Sequence, residues 1–278
     1  MIMSVRASET ARTTLEWKCY GLTTADRPAR QAHLGAELER IALPFEVLVS
    51  ERPTDAGGFS GIGVRGCFES HLQAMRTARD EGVDVAVFVE DDAVIASRFL
   101  ELLPEIQREL RDVEWSVLLL GYLGDQSPAR HFPIAQLSPH LARAEHWEFT
   151  GSHFVAVNGS SLNELIEHFE DRLRPGGHRI GVDGVLNEFR QMSGRPTLVT
   201  VPNLSRQGPS PSGITAAEGL RTKLLHFDKV RRLVQGAKRA KWDLEAMVPA
   251  RLSVKMWNLR ARLTARSRQQ YLSAPPGR

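Results

Sequence analysis

At 278 residues, with 42% hydrophobic and 25% charged residues, the chain is long enough for one large α/β domain or two small ones. No run approaches the roughly 20 apolar residues that cross a bilayer, and the opening MIMSVRASETARTTLEW lacks a signal-peptide core, so the cytoplasm is the expected compartment. The net charge of +3 hides an asymmetry: Arg221 to Arg268 holds fourteen Lys/Arg against three acids, and removing that +11 leaves −8 elsewhere, which excludes nucleic-acid binding driven by overall charge.

The first fourteen residues read as a frayed terminus. A short strand is predicted from Trp17 to Leu22, then a helix that Asp26 caps, with Pro28 in its first turn and Leu34, Leu38 and Ile41 along one face. Phe45 to Val49 forms a second strand. A Gly-rich loop, Gly57 to Gly66, leads into a helix ending near Asp80. Val85 to Val89 is a central buried strand, Phe99 to Leu110 a helix, and Trp115 to Tyr122 a near-continuous apolar run of buried-strand type. The pattern turns irregular after Gly124. It resumes with a strand at His153 to Val157, a helix from Ser160 to about Phe169, a helix from Asp183 to Met192 and a strand from Thr197 to Val201. Strands alternating with helices imply a mostly parallel, doubly wound sheet.

Gln207 to Gly213, rich in Gly, Pro and Ser, reads as a linker. Beyond it, residues 215–278 form a basic helical tail in which Leu220, Leu224, Phe227 and Val230 share a face, and Pro249 separates a second basic segment carrying Leu252, Met256, Trp257 and Leu263. Packing against the main domain is one use for such a tail. Lying on an anionic membrane surface is another. Cys19 and Cys67 cannot build a disulfide framework and lack paired zinc-site spacing, so both are read as reduced, semi-buried residues.

Chemistry concentrates in Glu90-Asp91-Asp92, three carboxylates closing a hydrophobic strand at the edge where open α/β sheets present ligands. While extended geometry persists, Glu90 and Asp92 point to one side and Asp91 to the other. Oxygen donors of this kind suit Mg²⁺ or Mn²⁺, which keep positions open for phosphate oxygens. An acidic turn capping the next helix, through Asp92 or Ser97, is the plain structural alternative. Gly61-Ile62-Gly63-Val64-Arg65-Gly66 spells a dinucleotide-binding pattern, but the preceding strand ends near Val49, too far upstream for that fingerprint.

Taken together, Gly66-Cys67…Ser70-His71 followed some twenty residues later by Phe88-Val89-Glu90-Asp91-Asp92 resembles the family 25 glycosyltransferases of lipooligosaccharide biosynthesis. Asp26-Arg27…Arg30, Phe45-Glu46, Thr150-Gly151-Ser152-His153-Phe154 and Gly181-Val182-Asp183-Gly184-Val185-Leu186 are similar to further segments of that family, in order, over Leu15 to Ile214. The resemblance implies a GT-A-like single domain spanning residues 15–214, its central sheet flanked by helices, and an inverting hexosyltransferase. The donor would be a UDP-hexose, galactose for preference, the cofactor Mn²⁺ or Mg²⁺, and the acceptor a hydroxyl of a glycan or lipid-linked saccharide such as lipopolysaccharide.

Within that frame Asp92 and Glu90 hold the metal, and Arg27, Arg30, Gly66, Ser70, His71, Glu90, Asp91 and His153 contact the donor. Asp183 is the general base, with a helix cap as its alternative. The chain departs from the pattern at Gly181, where a Pro is usual, and at Val185, where some relatives carry a second acid. Two other classes stay open: a sugar-nucleotide-binding protein without transfer activity, and an interaction module built on the basic tail.

Overall fold

The computed structural model describes residues 15–122, 134–143 and 149–208, with Leu252, Lys255, Met256 and Leu259 of the tail. The expectations for the linker beyond Gly208 and for the rest of the basic tail therefore lie outside the described residues.

The described chain runs β1 (Trp17–Thr24), α1 (Pro28–Ile41), β2 (Phe45–Ser50), α2 (Ile62–Glu81), β3 (Val85–Glu90), β4 (Ala93–Ile95), α3 (Phe99–Leu110), β5 (Val117–Gly121), β6 (Ala135–Gln136), β7 (Leu141–Arg143), β8 (Phe154–Asn158), α4 (Leu162–Leu173), α5 (Val182–Ser193), β9 (Thr197–Thr200) and β10 (Ser205–Gln207). Eight strands form one sheet in the order β2-β1-β3-β8-β5-β9-β7-β6, while β10 and β4 make a separate pair. Strands β1, β2 and β3 pair in parallel, as do β5 and β9. Strand β8 is antiparallel to both its neighbours and β7 to both of its own, so six of the eight strands point one way. The expected α/β sheet flanked by helices is what the chain forms.

Alternation along the central strands divides the core into two layers. Tyr20, Leu22, Ala86 and Phe88 face α2, α4 and α5, where Phe68 stacks 5.0 Å from Phe59 and 4.9 Å from Phe169. Cys19, Val85, Val87 and Val89 face the opposite layer, with Leu34, Leu38 and Ile41 of α1 and Phe99, Leu102 and Ile106 of α3. Gly21 lets α1 approach β1: a Cβ there would stand 2.7 Å from Leu38 Cδ1 and 2.9 Å from Leu34 Cδ2. Truncating any of the large buried side chains in either layer to Ala costs about 2–5 kcal/mol, because close-packed interiors collapse only partly around a cavity.

Several helix ends differ from the sequence expectation. Arg27, not Asp26, occupies the N-cap of α1, and Asp26 instead accepts from Thr24 Oγ1 at 2.6 Å. Pro28 does stand in the first turn. Helix α2 starts at Ile62, so Gly63 and Gly66 lie inside its first turns and not in a loop. The N-cap of α3 is Arg98, so neither Asp92 nor Ser97 caps it. The short strands β4, β6, β7 and β10 have no counterpart in the sequence expectation, because two or three residues carry too little periodicity to announce a strand.

Candidate active site

The parallel register β1–β3, with Leu22 opposite Glu90, brings the carboxyl ends of both strands to one edge of the sheet. Thr23, Thr24, Asp91 and Asp92 follow directly, and the first turns of α1 and α2 close the sides. The resulting cleft is lined by Arg27, Arg30, Gly66, Ser70, His71, Glu90, Asp91 and Asp92, together with Thr23, Arg52, Cys67 and Gln207. Eight of the residues nominated from sequence thus share one concave surface, assembled from segments up to 65 residues apart between Arg27 and Asp92.

The three acids are not equivalent. Asp91 is buried and doubly tied: Arg30 Nη1 donates to Oδ1 at 2.6 Å, and Thr23 Oγ1 donates to Oδ2 at 3.0 Å. Arg30 reaches Asp92 Oδ2 only at 3.8 Å. Asp92 Oδ1 is buried and makes no hydrogen bond. Glu90 Oε1 accepts from Ser152 Oγ at 2.8 Å and lies 3.7 Å from Cys67 Sγ and 3.8 Å from His71 Nε2. Strand β3 ends at Glu90, and Asp91-Asp92 form the turn before β4, so contacts and not strand alternation make the division: Asp91 turns toward Arg30 of α1 and Thr23 of β1.

Burial sets the charge states. It pushes the Glu90 carboxyl up to about 7, an effect that the Ser152 hydrogen bond offsets and that Asp183 and Asp91 reinforce. Burial likewise raises Asp92 to about 7, with Glu90 adding repulsion and Arg30 relieving part of it. Two neighbouring carboxyls that both resist ionisation are a place where an added cation is electrostatically favoured. The donor set fits such an ion: hard oxygens, one of them buried and without a partner.

Asp183 and His153 lie outside the cleft lining. Asp183 sits in the first turn of α5, whose N-cap is Gly181 with no side-chain capping bond, so it is not the cap. Its Oδ2 accepts from the Gly151 N–H at 2.9 Å, and its Oδ1 is buried without a partner. Burial raises its pKa, against hydrogen bonds from Gly151 and Ser152. The carboxylate is near enough to act on Glu90, Cys67 and His71. Val185, at the position of the missing second acid, is fully buried in the core.

His153 is also fully buried, with the ring packed where a Cβ on Gly121 would stand 2.7 Å from Nε2. Neither ring nitrogen makes a hydrogen bond of good geometry, although the Ser205 backbone lies close enough to favour protonation, and burial lowers its pKa to about 4. The member of that segment that reaches the acidic strand end is its neighbour Ser152, through Glu90.

Thr23, Arg52, Cys67 and Gln207 of the cleft lining, and Ser152 on Glu90 behind it, are the residues that sequence reading did not nominate for the site. Cys67 and His71 are four apart, and that spacing on a helix was the available signal. Ser152 lay in the Thr150-Gly151-Ser152-His153 segment of the resemblance, which pointed to His153 instead; Arg52 gave no signal, since only the fold brings its loop to the cleft.

No family model matches the chain, and no curated protein matches it. Solved structures are similar in overall shape. A mannose-1-phosphate geranyltransferase from Thermus thermophilus shares 12% identity at a TM-score of 0.41, covering 67% of this chain and 74% of that one. A glycosyltransferase involved in glycosylation of the major capsid of PBCV-1 shares 8% identity at 0.38, over 65% of this chain and 80% of that one. The inositol-1-phosphate CTP transferase from T. maritima shares 10% at 0.34, over 66% of this chain and 65% of that one. Likenesses this distant carry no chemistry.

Proposed function

We propose that the protein is a metal-dependent glycosyltransferase that takes a hexose, galactose for preference, from a UDP-sugar to a hydroxyl of a glycan such as lipopolysaccharide. The observation that carries this reading is the pairing, in one cleft, of two cation-seeking carboxyls with a wall of arginines. A diphosphate bridged to a divalent ion has the complementary charge pattern. The sequence resemblance to family 25 supplies the sugar and the acceptor class.

Asp92 and Glu90 would hold Mn²⁺ or Mg²⁺, and the ion, when bound, would stabilise charge on the departing diphosphate. Arg30, spent mainly on Asp91, offsets that acid and leaves Glu90 and Asp92 for the ion. Arg27 and Arg52 offer guanidinium groups to phosphate oxygens, which they match in geometry. Asp183 is the base of this reading, with a pKa raised by burial in the direction that proton abstraction needs. Its commitment to Gly151, behind the cleft wall, favours a second reading in which the donor binds without being turned over.

A panel of UDP-sugars assayed for UDP release tests both. The expected result is release that needs Mn²⁺ or Mg²⁺, prefers one hexose, and falls by about 10²-fold or more in Asp92→Asn. Metal-assisted donor binding with no release, with or without saccharide acceptors, would select the second reading. No binding of any UDP-sugar by the folded chain would overturn both.

A further inference from the structure

Behind the acidic trio, three side chains of different chemistry converge. Cys67 and His71 stand one turn apart on the same face of α2, and Glu90 closes β3 opposite them. Glu90 Oε1 lies 3.7 Å from Cys67 Sγ and 3.8 Å from His71 Nε2, and one ligand atom from each residue falls within 4.8 Å of the other two. Ligand atoms of a tetrahedral zinc site are separated by roughly 3.3–3.8 Å, given Zn–S and Zn–N bonds of about 2.3 and 2.0 Å. The cluster is thus within a small side-chain adjustment of that spacing.

His71 supplies the second, independent sign. Its Nδ1 is 2.9 Å from the Cys67 carbonyl oxygen. A carbonyl can only accept, so Nδ1 carries the proton and the neutral ring leaves its lone pair on Nε2. That nitrogen is buried, on a side chain only 5% exposed, and although the Ser152 backbone lies near the ring it makes no hydrogen bond of good geometry. It points at Glu90, 3.8 Å away, while Cys67 Sγ lies 3.7 Å from Nδ1 of the same ring. A backbone hydrogen bond on one ring nitrogen that leaves the other facing a carboxylate donor is how metal-ligating histidines are oriented.

We propose that Cys67 Sγ, His71 Nε2 and Glu90 Oε1 form a site for one borderline divalent transition metal, zinc for preference, adjoining the hard-cation position of Asp92, with Glu90 shared between the two. Thiolate and imidazole donors select zinc, cobalt or iron over magnesium, whereas the Asp92 end offers only oxygens. As the Sγ–metal bond forms, the Cys67 thiol releases its proton to solvent. All three residues line the cleft, which gives the ion an entry path and leaves room for a fourth ligand. Hydrogen bonding within the trio does not explain the arrangement as well, because it leaves Nε2 without a donor.

Cobalt(II) titration of the metal-free full chain, without nucleotide, tests the site. The expected result is one equivalent bound, a thiolate-to-cobalt charge-transfer band in the near ultraviolet, and stoichiometric displacement by zinc. Cys67→Ser, which keeps the side-chain volume, should abolish the band. His71→Gln should weaken cobalt binding more than about 100-fold, beyond the loss typical of an outer-shell partner. Cys19→Ser should retain the band. Folded wild-type chain that binds no cobalt, or a band that survives Cys67→Ser, would overturn the proposal, and circular dichroism of each variant verifies folding. Asp92→Asn should keep the cobalt band while losing UDP release, so this site and the glycosyltransferase reading fail separately.

Discussion

Two charged clusters sit at opposite ends of the same strands, and they are built to opposite rules. At the amino end of β1, Lys18 Nζ donates to Glu46 at 3.1 Å and to both oxygens of Glu81 at 2.7 Å, while Tyr20 OH donates to Glu81 as well. Those bonds, from Lys18 first and Tyr20 next, hold the Glu81 carboxyl below its ordinary range. At the carboxyl end of β1 and β3, Asp91 is paired in the same way, but Glu90 and Asp92 are raised and Asp92 Oδ1, His71 Nε2 and Asp183 Oδ1 are buried without hydrogen-bond partners. A cluster that only stabilises a fold satisfies its polar groups. This one leaves Asp92 Oδ1 and His71 Nε2 unsatisfied in the cleft and Asp183 Oδ1 unsatisfied behind its wall, where a bound ion or ligand would supply partners.

The largest effect on stability should come from breaking the one fully paired element of the cleft. Arg30→Met leaves Asp91 charged and buried, with side chains only 13% and 9% exposed in the pair, and is expected to cost about 3–5 kcal/mol in denaturant unfolding. Adding Asp91→Asn should restore much of that loss. If the single and double variants melt alike, the pair does not organise the strand end.

Next comes Asp92→Asn, which the contrast predicts to separate activity from stability. Turnover should fall by about 10²-fold, yet the metal-free protein should melt no lower than wild type, because the substitution removes a buried like charge. A drop of several degrees would instead mark Asp92 as a structural partner.

His153 gives a pH signature. Its native pKa of about 4 lies below the value of 6.5 expected when unfolded, so between those values the unfolded chain binds more protons and stability rises with pH. Acidification from pH 7 toward 4 should therefore cost up to about 3 kcal/mol through this residue. His153→Gln should flatten that part of the stability profile; an unchanged slope would show that the ring is solvated. The smallest effect is expected from Glu81→Gln, a loss of about 1 kcal/mol with UDP release unaltered, since these hydrogen bonds lie at the far end of the sheet and are partly exposed.

Comparing these regions also shows what sequence patterns reveal. Apolar runs announced β3 and β5, and an apolar face at helical spacing announced α1, because hydrophobic burial repeats with the backbone's own geometry. Helix ends were less legible. Asp26 and Asp183 have capping chemistry, but the chain turns one residue later at Arg27 and two earlier at Gly181. Such small offsets depend on how each helix docks.

By itself the sequence determined the α/β class and the acidic strand end, and through Gly66-Cys67…Ser70-His71 it marked the helix that faces that end. Those features are local, written in neighbouring residues. Only the tertiary structure decided which acid is neutralised, through Arg30 and Thr23 on Asp91, and that His153 is core while Ser152 reaches Glu90. It alone set Cys67, His71 and Glu90 around one point. Charge state depends on burial and on partners brought from 60 or more residues away, as with Arg30 and Asp91, and no pattern along the chain encodes that distance.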